Sequence, residues 1–199
     1  MTDLARERPS ASLTELELLD RAQAGDVEAF ELLASRHTDH LYAVVVRLMG
    51  DRAEAEDVLQ ESLLRAWRGM GRFQNRSMFF TWLYRIAVNE ANRALARRAR
   101  RSPGGDIDVE SVQLRAPANQ EPAHQAEHHE LHAMLYRAIA ELDPAHRAAL
   151  VLRDIEGLST REAAEIVGVR EAAFKSRLHQ ARLRVRAAIG DELLAAALP

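Results

Sequence analysis

The stretch LSTREAAEIVGVREAAFKSRLHQARLRV, from Leu158 to Val185, carries the strongest chemical signal in the chain. Small Ala163 permits two helices to cross closely, Gly168 allows a tight turn, and Ile166, Val169, Phe174 and Leu178 are spaced to pack the pair together. The pattern predicts a helix-turn-helix whose second helix enters a DNA major groove. Arg170, Glu171, Ala172, Lys175, Ser176, Arg177 and His179 then project near its N-terminal end, where base edges are read, with Arg161 on the preceding helix. Arg182, Arg184 and Arg186 lie further along, where phosphates run. A merely structural helical hairpin is the competing reading.

A second constellation lies upstream. Phe79, Phe80, Trp82 and Tyr84 sit beside Arg76, Arg85, Asn89, Asn92 and Arg93, so rings for stacking neighbour cations for phosphates and amides for base edges. That mixture suits unpaired bases. Phe79 and Trp82 also fit the buried stripe of a helix, whereas Arg93, Arg97, Arg98, Arg100 and Arg101 crowd its end and are harder to read as structural. A third set, Asp57, Gln60, Glu61 and Leu64, recurs at helical spacing and suits docking against a helix that carries bases; a solvated face is the alternative. His124, His128 and His132 recur every four residues beside His129, but no cysteine or HExxH motif supports a metal there, and the expectation is an exposed linker-helix cluster that titrates near neutrality. No nucleophile and base pair, glycine-rich phosphate loop or cofactor motif appears, so catalysis has no support.

The elements that must position these groups are helical. The 199 residues include only 9 Gly and 6 Pro and no Cys, and helix formers dominate. Thr14 with Glu17 forms a capping box, Asp26 opens a helix that Gly50 can end, and Asp51 with Glu54 starts another that stops near Gly69 or Gly71. Residues 77–100 read as one long helix. Together these make a first module over 13–100. Ser102, Pro103, Gly104 and Gly105 break the pattern and open a linker over 101–124. A second module spans 125–190, in which Asp143 caps a helix beginning at Pro144 and running to about Ile155, Gly157 ends it, Ser159 with Glu162 caps residues 160–167, and a basic helix covers 170–189. The fold class expected is all-α: two small helical domains joined by a flexible acidic linker, the second containing the helix-turn-helix.

A formal net charge of −3, from 27 bases against 30 acids, argues at first against a nucleic-acid partner. The total conceals segregation. Residues 3–31 balance to −5 and 51–61 to −4, residues 72–101 hold eight arginines against Glu90 alone, residues 102–132 return to −5, and residues 170–186 swing to +5. Two basic blocks separated by acid fit two nucleic-acid contacts on one chain. Residues 1–12 lack the apolar core of a signal sequence and no apolar run approaches the roughly 20 residues that cross a bilayer, so a cytoplasmic protein without membrane insertion is expected.

These residues support a family resemblance. Asp143, Pro144 and Arg147, then ALVLRDIEGLSTREAAEIVGV and FKSRLHQAR, resemble the fourth conserved domain of the extracytoplasmic-function sigma factors, a two-domain class of bacterial transcription initiation factors. Asp57, Gln60, Glu61 and Trp67 in EDVLQESLLRAW look like that family's segment for binding core RNA polymerase, and TWLYRIAVN, from Thr81, looks like its promoter-melting segment. The resemblance implies that Asp57, Gln60, Glu61, Leu64 and Trp67 dock on polymerase. It implies that Arg76, Phe79, Trp82, Tyr84, Arg85, Asn89, Asn92, Arg93, Arg97 and Arg98 meet the minus-ten promoter element. Arg161, Arg170, Glu171, Ala172, Lys175, Ser176, Arg177, His179 and Arg182 would meet the minus-thirty-five duplex. An anti-sigma factor covering these faces is a further implied partner. Leu63, Phe80, Ala172, Ala173, Phe174 and Gln180 depart from the family pattern, so the promoter sequence does not carry over. The rival reading, a freestanding helix-turn-helix regulator, accounts for the C-terminal half only.

Overall fold

The computed structural model describes residues 13–74, 78–101 and 133–197, with side chains as far as residue 190. Eight α-helices run through them: α1 (Glu15–Gln23), α2 (Val27–Met49), α3 (Arg52–Gly69), α4 (Phe79–Arg101), α5 (133–140), α6 (Pro144–Leu150), α7 (Thr160–Val167) and α8 (Glu171–Ala197). No strand occurs among the described residues. The linker stretch 102–132, with its histidines, and Arg76 lie outside them.

Most helix starts follow from local chemistry. Thr14 Oγ1 accepts from the Glu17 N–H at 3.2 Å while the Glu17 carboxylate accepts from the Thr14 N–H at 2.9 Å, and Ser159 with Glu162 repeats the same reciprocal cap on α7. Asp26 and Asp51 cap α2 and α3 through the N–H groups of Ala29 and Glu54. Gly50 ends α2 at φ 70°, and Gly168 makes the α7–α8 turn at φ 71°, a left-handed backbone that a side chain would resist.

Three elements differ from the sequence expectation. The helix opened by Asp143 and Pro144 is α-helical only to Leu150; Val151–Ile155 widens into a π-helical turn, in which the Glu156 N–H donates to the Val151 carbonyl at 2.9 Å. The helix read from 77 begins at Phe79, and the basic helix runs on to Ala197 rather than stopping near 189. No local signal in the sequence marks a π turn, because it is chosen by what the flanking side chains pack against.

The core of the first half is built by α2, α3 and α4 around Leu33, Leu41, Leu48, Met49, Phe79 and Leu83, all essentially buried. Trp82 lies across Gly69, where a Cβ would stand 3.3 Å from the ring, so a small residue is what lets α3 and α4 approach there. In the second half Ala163, Ile166, Phe174 and Leu178 lock α7 onto α8 as their spacing predicts.

His37 packs against Phe79 and Phe80, with ring centroids 5.8 and 6.3 Å apart, and its Nε2 is buried without a hydrogen-bond partner. Burial holds its pKa below the ordinary 6.5, assisted by the charges of Arg36 and His40 and opposed by Glu15. Because the folded-state value is the depressed one, folding favours the neutral ring: the stabilisation is present above about 6.5 and lost as pH falls through the folded value. Glu156, raised by burial against the pull of Arg47 and His40, has the opposite sign, its contribution fading as pH rises from its ordinary 4.5. Melting temperatures of the native chain and of His37→Gln are expected to converge as pH is lowered from about 7 to 5. A gap that stays constant over that range would exclude this role for His37.

Candidate functional site

On α3, Asp57, Gln60 and Leu64 are exposed and Glu61 is half-buried, so acids, an amide and an apolar side chain do share one accessible face. Trp67, three residues on from Leu64, is half-buried, with its ring 5.3 Å from that of Phe30. Arg65 joins this face to α4: its Nε lies 2.8 Å from Glu61 and 3.0 Å from Glu90.

Glu90 is the side chain that reading by segment undervalued. As the lone acid among eight arginines it is 1% exposed, and Arg65, Arg93 and Arg97 surround it at 3.0, 3.2 and 3.3 Å. A buried carboxylate needs such partners, and shared among three it holds the guanidinium groups near the α3–α4 groove without neutralising them all. Its spacing to Arg93 and Arg97, three and seven residues, was a legible signal, since these positions fall on one helix face. Arg98 reaches Glu54 at 2.9 Å and the Met49 carbonyl at 3.3 Å, closing the C-terminal end of α2.

The aromatic set divides. Phe79 is 1% exposed and Tyr84 5% exposed, so neither ring offers a surface to a base in this conformation; burial, with the nearby Glu156 charge, pushes the Tyr84 hydroxyl well above its ordinary range. Trp82 is half-buried among Phe73 and Phe79, with centroids at 4.9 and 5.9 Å, leaving part of its ring accessible. Arg85, Asn89, Arg93 and Arg97 recur every four residues as one exposed stripe along α4, with Asn92 half-buried beside it. Such a stripe suits a phosphate backbone, which demands evenly repeated donors.

The helix-turn-helix presents Arg161 on α7, Arg170 just before α8, and Glu171, Ala172, Lys175, Ser176 and His179 on α8, all exposed, with Arg177 half-buried. The first turns of α8 therefore form a free reading head. Its later arginines are engaged: Arg182 makes a two-pronged pair with Asp154 at 2.6 and 2.8 Å, and Arg184 lies 2.8 Å from Asp143. Asp154 belongs to the π-helical turn, so that irregularity bears one of the anchors of α8.

Arg147 was missed as more than part of a motif. Its guanidinium is buried, donating through Nη1 to the Leu48 carbonyl at 2.5 Å and through Nη2 to the carbonyls of Ala140 and Leu142, the latter at 3.1 Å. Burial, reinforced by the charge of Arg98, lowers its pKa to about 10, still far above neutrality, so it remains a cation.

Known protein families match both halves of the chain. Residues 33–101 match Sigma-70 region 2 and residues 132–185 match Sigma-70, region 4. The chain is 34% identical over 171 residues to the RNA polymerase sigma-H factor of Pseudomonas aeruginosa, covering 83% of this chain and 89% of that one. It is 35% identical over 180 residues to the ECF RNA polymerase sigma-E factor of Escherichia coli K12, covering 87% and 93%. Among solved structures, the sigma factor RpoE in complex with the anti-sigma factor NepR from Bartonella quintana superposes with TM-score 0.65 at 26% identity, over 82% of this chain and 98% of that one. CnrH in complex with the cytosolic domain of CnrY shares the fold at TM-score 0.61 and 24% identity, over 89% and 97%. With both conserved regions present in order and the similarity spanning most of the chain, the protein belongs to the extracytoplasmic-function sigma factors, non-enzymatic initiation factors that bind core RNA polymerase and direct it to promoters.

Proposed function

We propose that the three surfaces divide the work of initiation. The α3 face of Asp57, Gln60, Glu61 and Leu64 docks on core polymerase; the α4 stripe from Arg85 to Arg97, with the open side of Trp82, holds the minus-ten element; and the start of α8 reads the minus-thirty-five duplex. The observation that carries this reading is the segregation of exposed side chains, acids and Leu64 on α3 against basic and amide groups on α4 and early α8. Trp67, Phe79 and Tyr84 act in it by supporting the helices that carry the contacts. The domain limits that fit best are 13–100 and 125–190 with a linker between. The site of action is the cytoplasm, in keeping with the absence, among the described residues, of any helix long and apolar enough to cross a membrane. An anti-sigma factor is the regulator proposed, supported by the structural relative of 26% identity that is held in a complex with the anti-sigma factor NepR.

Run-off transcription with purified core polymerase tests the reading: promoter-specific transcripts are expected only when the protein is added. Tight operator binding without polymerase, and no transcript with it, would instead identify a freestanding regulator. Within the reading, Arg177→Ala removes a cation from the reading head and is expected to weaken promoter binding by about 1–3 kcal/mol, measured by footprinting of the holoenzyme, while polymerase capture is unchanged. An unaltered footprint removes Arg177 from the interface.

A further inference from the structure

Glu90 is the only acid on α4, and it lies buried beneath the exposed stripe of Arg85, Asn89, Arg93 and Arg97. By charge alone, an acid under a DNA-facing stripe opposes the binding of a polyanion. Its burial adds a desolvation cost that partners repay only when the geometry is good. A carboxylate there works against both affinity and stability unless it does something for the cations around it.

The two carboxylate oxygens divide three arginines between them. Oε2 lies 3.0 Å from Arg65 Nε and accepts from Arg93 Nη1 at 3.2 Å, while Oε1 accepts from Arg97 Nη2 at 3.3 Å and Nη1 at 3.4 Å. Arg65 comes from α3 and is held in turn by Glu61 at 2.8 Å, so the carboxylate is fixed from both helices. Arg93 and Arg97 nevertheless stay 58% and 51% exposed, and each guanidinium has more N–H donors than Glu90 takes. Each head is tethered at one edge and open at the other. Arg85, on the same stripe, makes no hydrogen bond to Glu90 and no ion pair among the described residues.

Tethering has a consequence for binding. A free arginine gives up rotamer freedom when it grips a phosphate, a loss worth a few-fold to about tenfold in affinity for each side chain ordered. Arg93 and Arg97 have given up part of that freedom before DNA arrives. The negative charge of Glu90 acts in the opposite direction, but it is shared by three cations, so a positive surplus remains at the stripe. With the charge spread in this way, the ordering of two side chains outweighs it.

We propose that Glu90 is a positioning residue for promoter binding: through Arg93 and Arg97 it presets two guanidinium heads for the phosphates of the minus-ten element, so that its loss weakens binding even though a negative charge is removed. The proposal rests on the assignment of the α4 stripe to that element. The competing role is purely structural, with Glu90 tying α3 to α4 through Arg65.

Holoenzyme assembled from core polymerase and the full chain is titrated, over a range of salt, with a fluorescent promoter duplex that the native holoenzyme selects from a randomised pool. Glu90→Gln keeps the shape of the side chain and is expected to raise Kd by about three- to tenfold. The slope of log K against log salt is expected to become shallower by roughly 0.9, the equivalent of one phosphate contact. Unchanged or tighter binding, which charge alone predicts, overturns the proposal. Added to Arg93→Ala with Arg97→Ala, the same exchange is expected to cost nothing further, whereas added to Arg85→Ala it keeps its full effect. An equal loss in both backgrounds makes Glu90 a structural link and overturns positioning. Glu90→Leu combined with Arg65→Met replaces the buried pair by apolar bulk that keeps α3 against α4, and is expected to show the same weakening with a melting temperature near the native one. Native binding by that folded variant also overturns the proposal. If Arg93→Ala with Arg97→Ala itself binds the duplex as the native chain does, the assignment of α4 fails and the proposal with it; if that variant is weakened while Glu90→Gln is not, the proposal alone fails.

Discussion

Arg147→Ala is expected to lower the unfolding free energy by about 3–5 kcal/mol, with a corresponding loss at the denaturation midpoint of the full chain. The residue is 4% exposed and its forked guanidinium serves three carbonyls on two segments: those of Ala140 and Leu142 beside α6, and that of Leu48 at the end of α2. Removing it strands those acceptors away from water, at about 1–3 kcal/mol each where they stay unsatisfied, and leaves a cavity where the stem had packed. Arg147→Lys retains the charge but offers an ammonium that cannot match a planar fork, so it is expected to recover only part of the loss. Equilibrium urea unfolding of both variants measures this. A cost below about 1 kcal/mol for Arg147→Ala would mean that water replaces the guanidinium and that its role is not structural.

The second large effect is functional. Asp57→Ala combined with Glu61→Ala is expected to weaken capture of core polymerase by tenfold or more, because charged contacts desolvated at the centre of an interface commonly carry about 2 kcal/mol or more each. The local structure should survive the change. Asp57 is exposed, and although Glu61 pairs with Arg65, that arginine keeps its contact with Glu90 at 3.0 Å. DNA binding by α8 is expected to be unchanged, since neither residue is near it in sequence and α3 does not pack extensively on α8. Pull-down at two salt concentrations checks the prediction, with the native interaction weakening as salt rises and the variant's less so. Equal capture by the native chain and the double variant would place the docking face elsewhere.

The legible part of the fold was the part encoded within a few residues. Thr14 with Glu17, Asp26, Asp51, Asp143 with Pro144, and Ser159 with Glu162 each announce a helix start because the hydrogen bond they make closes over two or three residues. The helix-turn-helix was legible for the same reason: Ala163, Gly168, Phe174 and Leu178 need only one turn and one crossing to explain them. The candidate site was legible as a set of charged stripes. Which of its members were already engaged was not: Arg98 with Glu54, Arg182 with Asp154 and Arg65 with Glu90 join positions 44, 28 and 25 residues apart, and formal charge does not reveal such pairing.

Alternating acidic and basic blocks, helix caps and apolar spacing determined, from sequence alone, that this protein has two helical modules with a basic stretch on each and an acidic face on the first. Tertiary structure alone decided which aromatic rings are core, as Phe79 and Tyr84 are, how Glu90 gathers its arginines, and that Arg47, Glu156 and Arg147 hold the modules together. The physical reason is range: capping and periodicity act over one or two helical turns, whereas desolvation of a charge depends on every element packed around it.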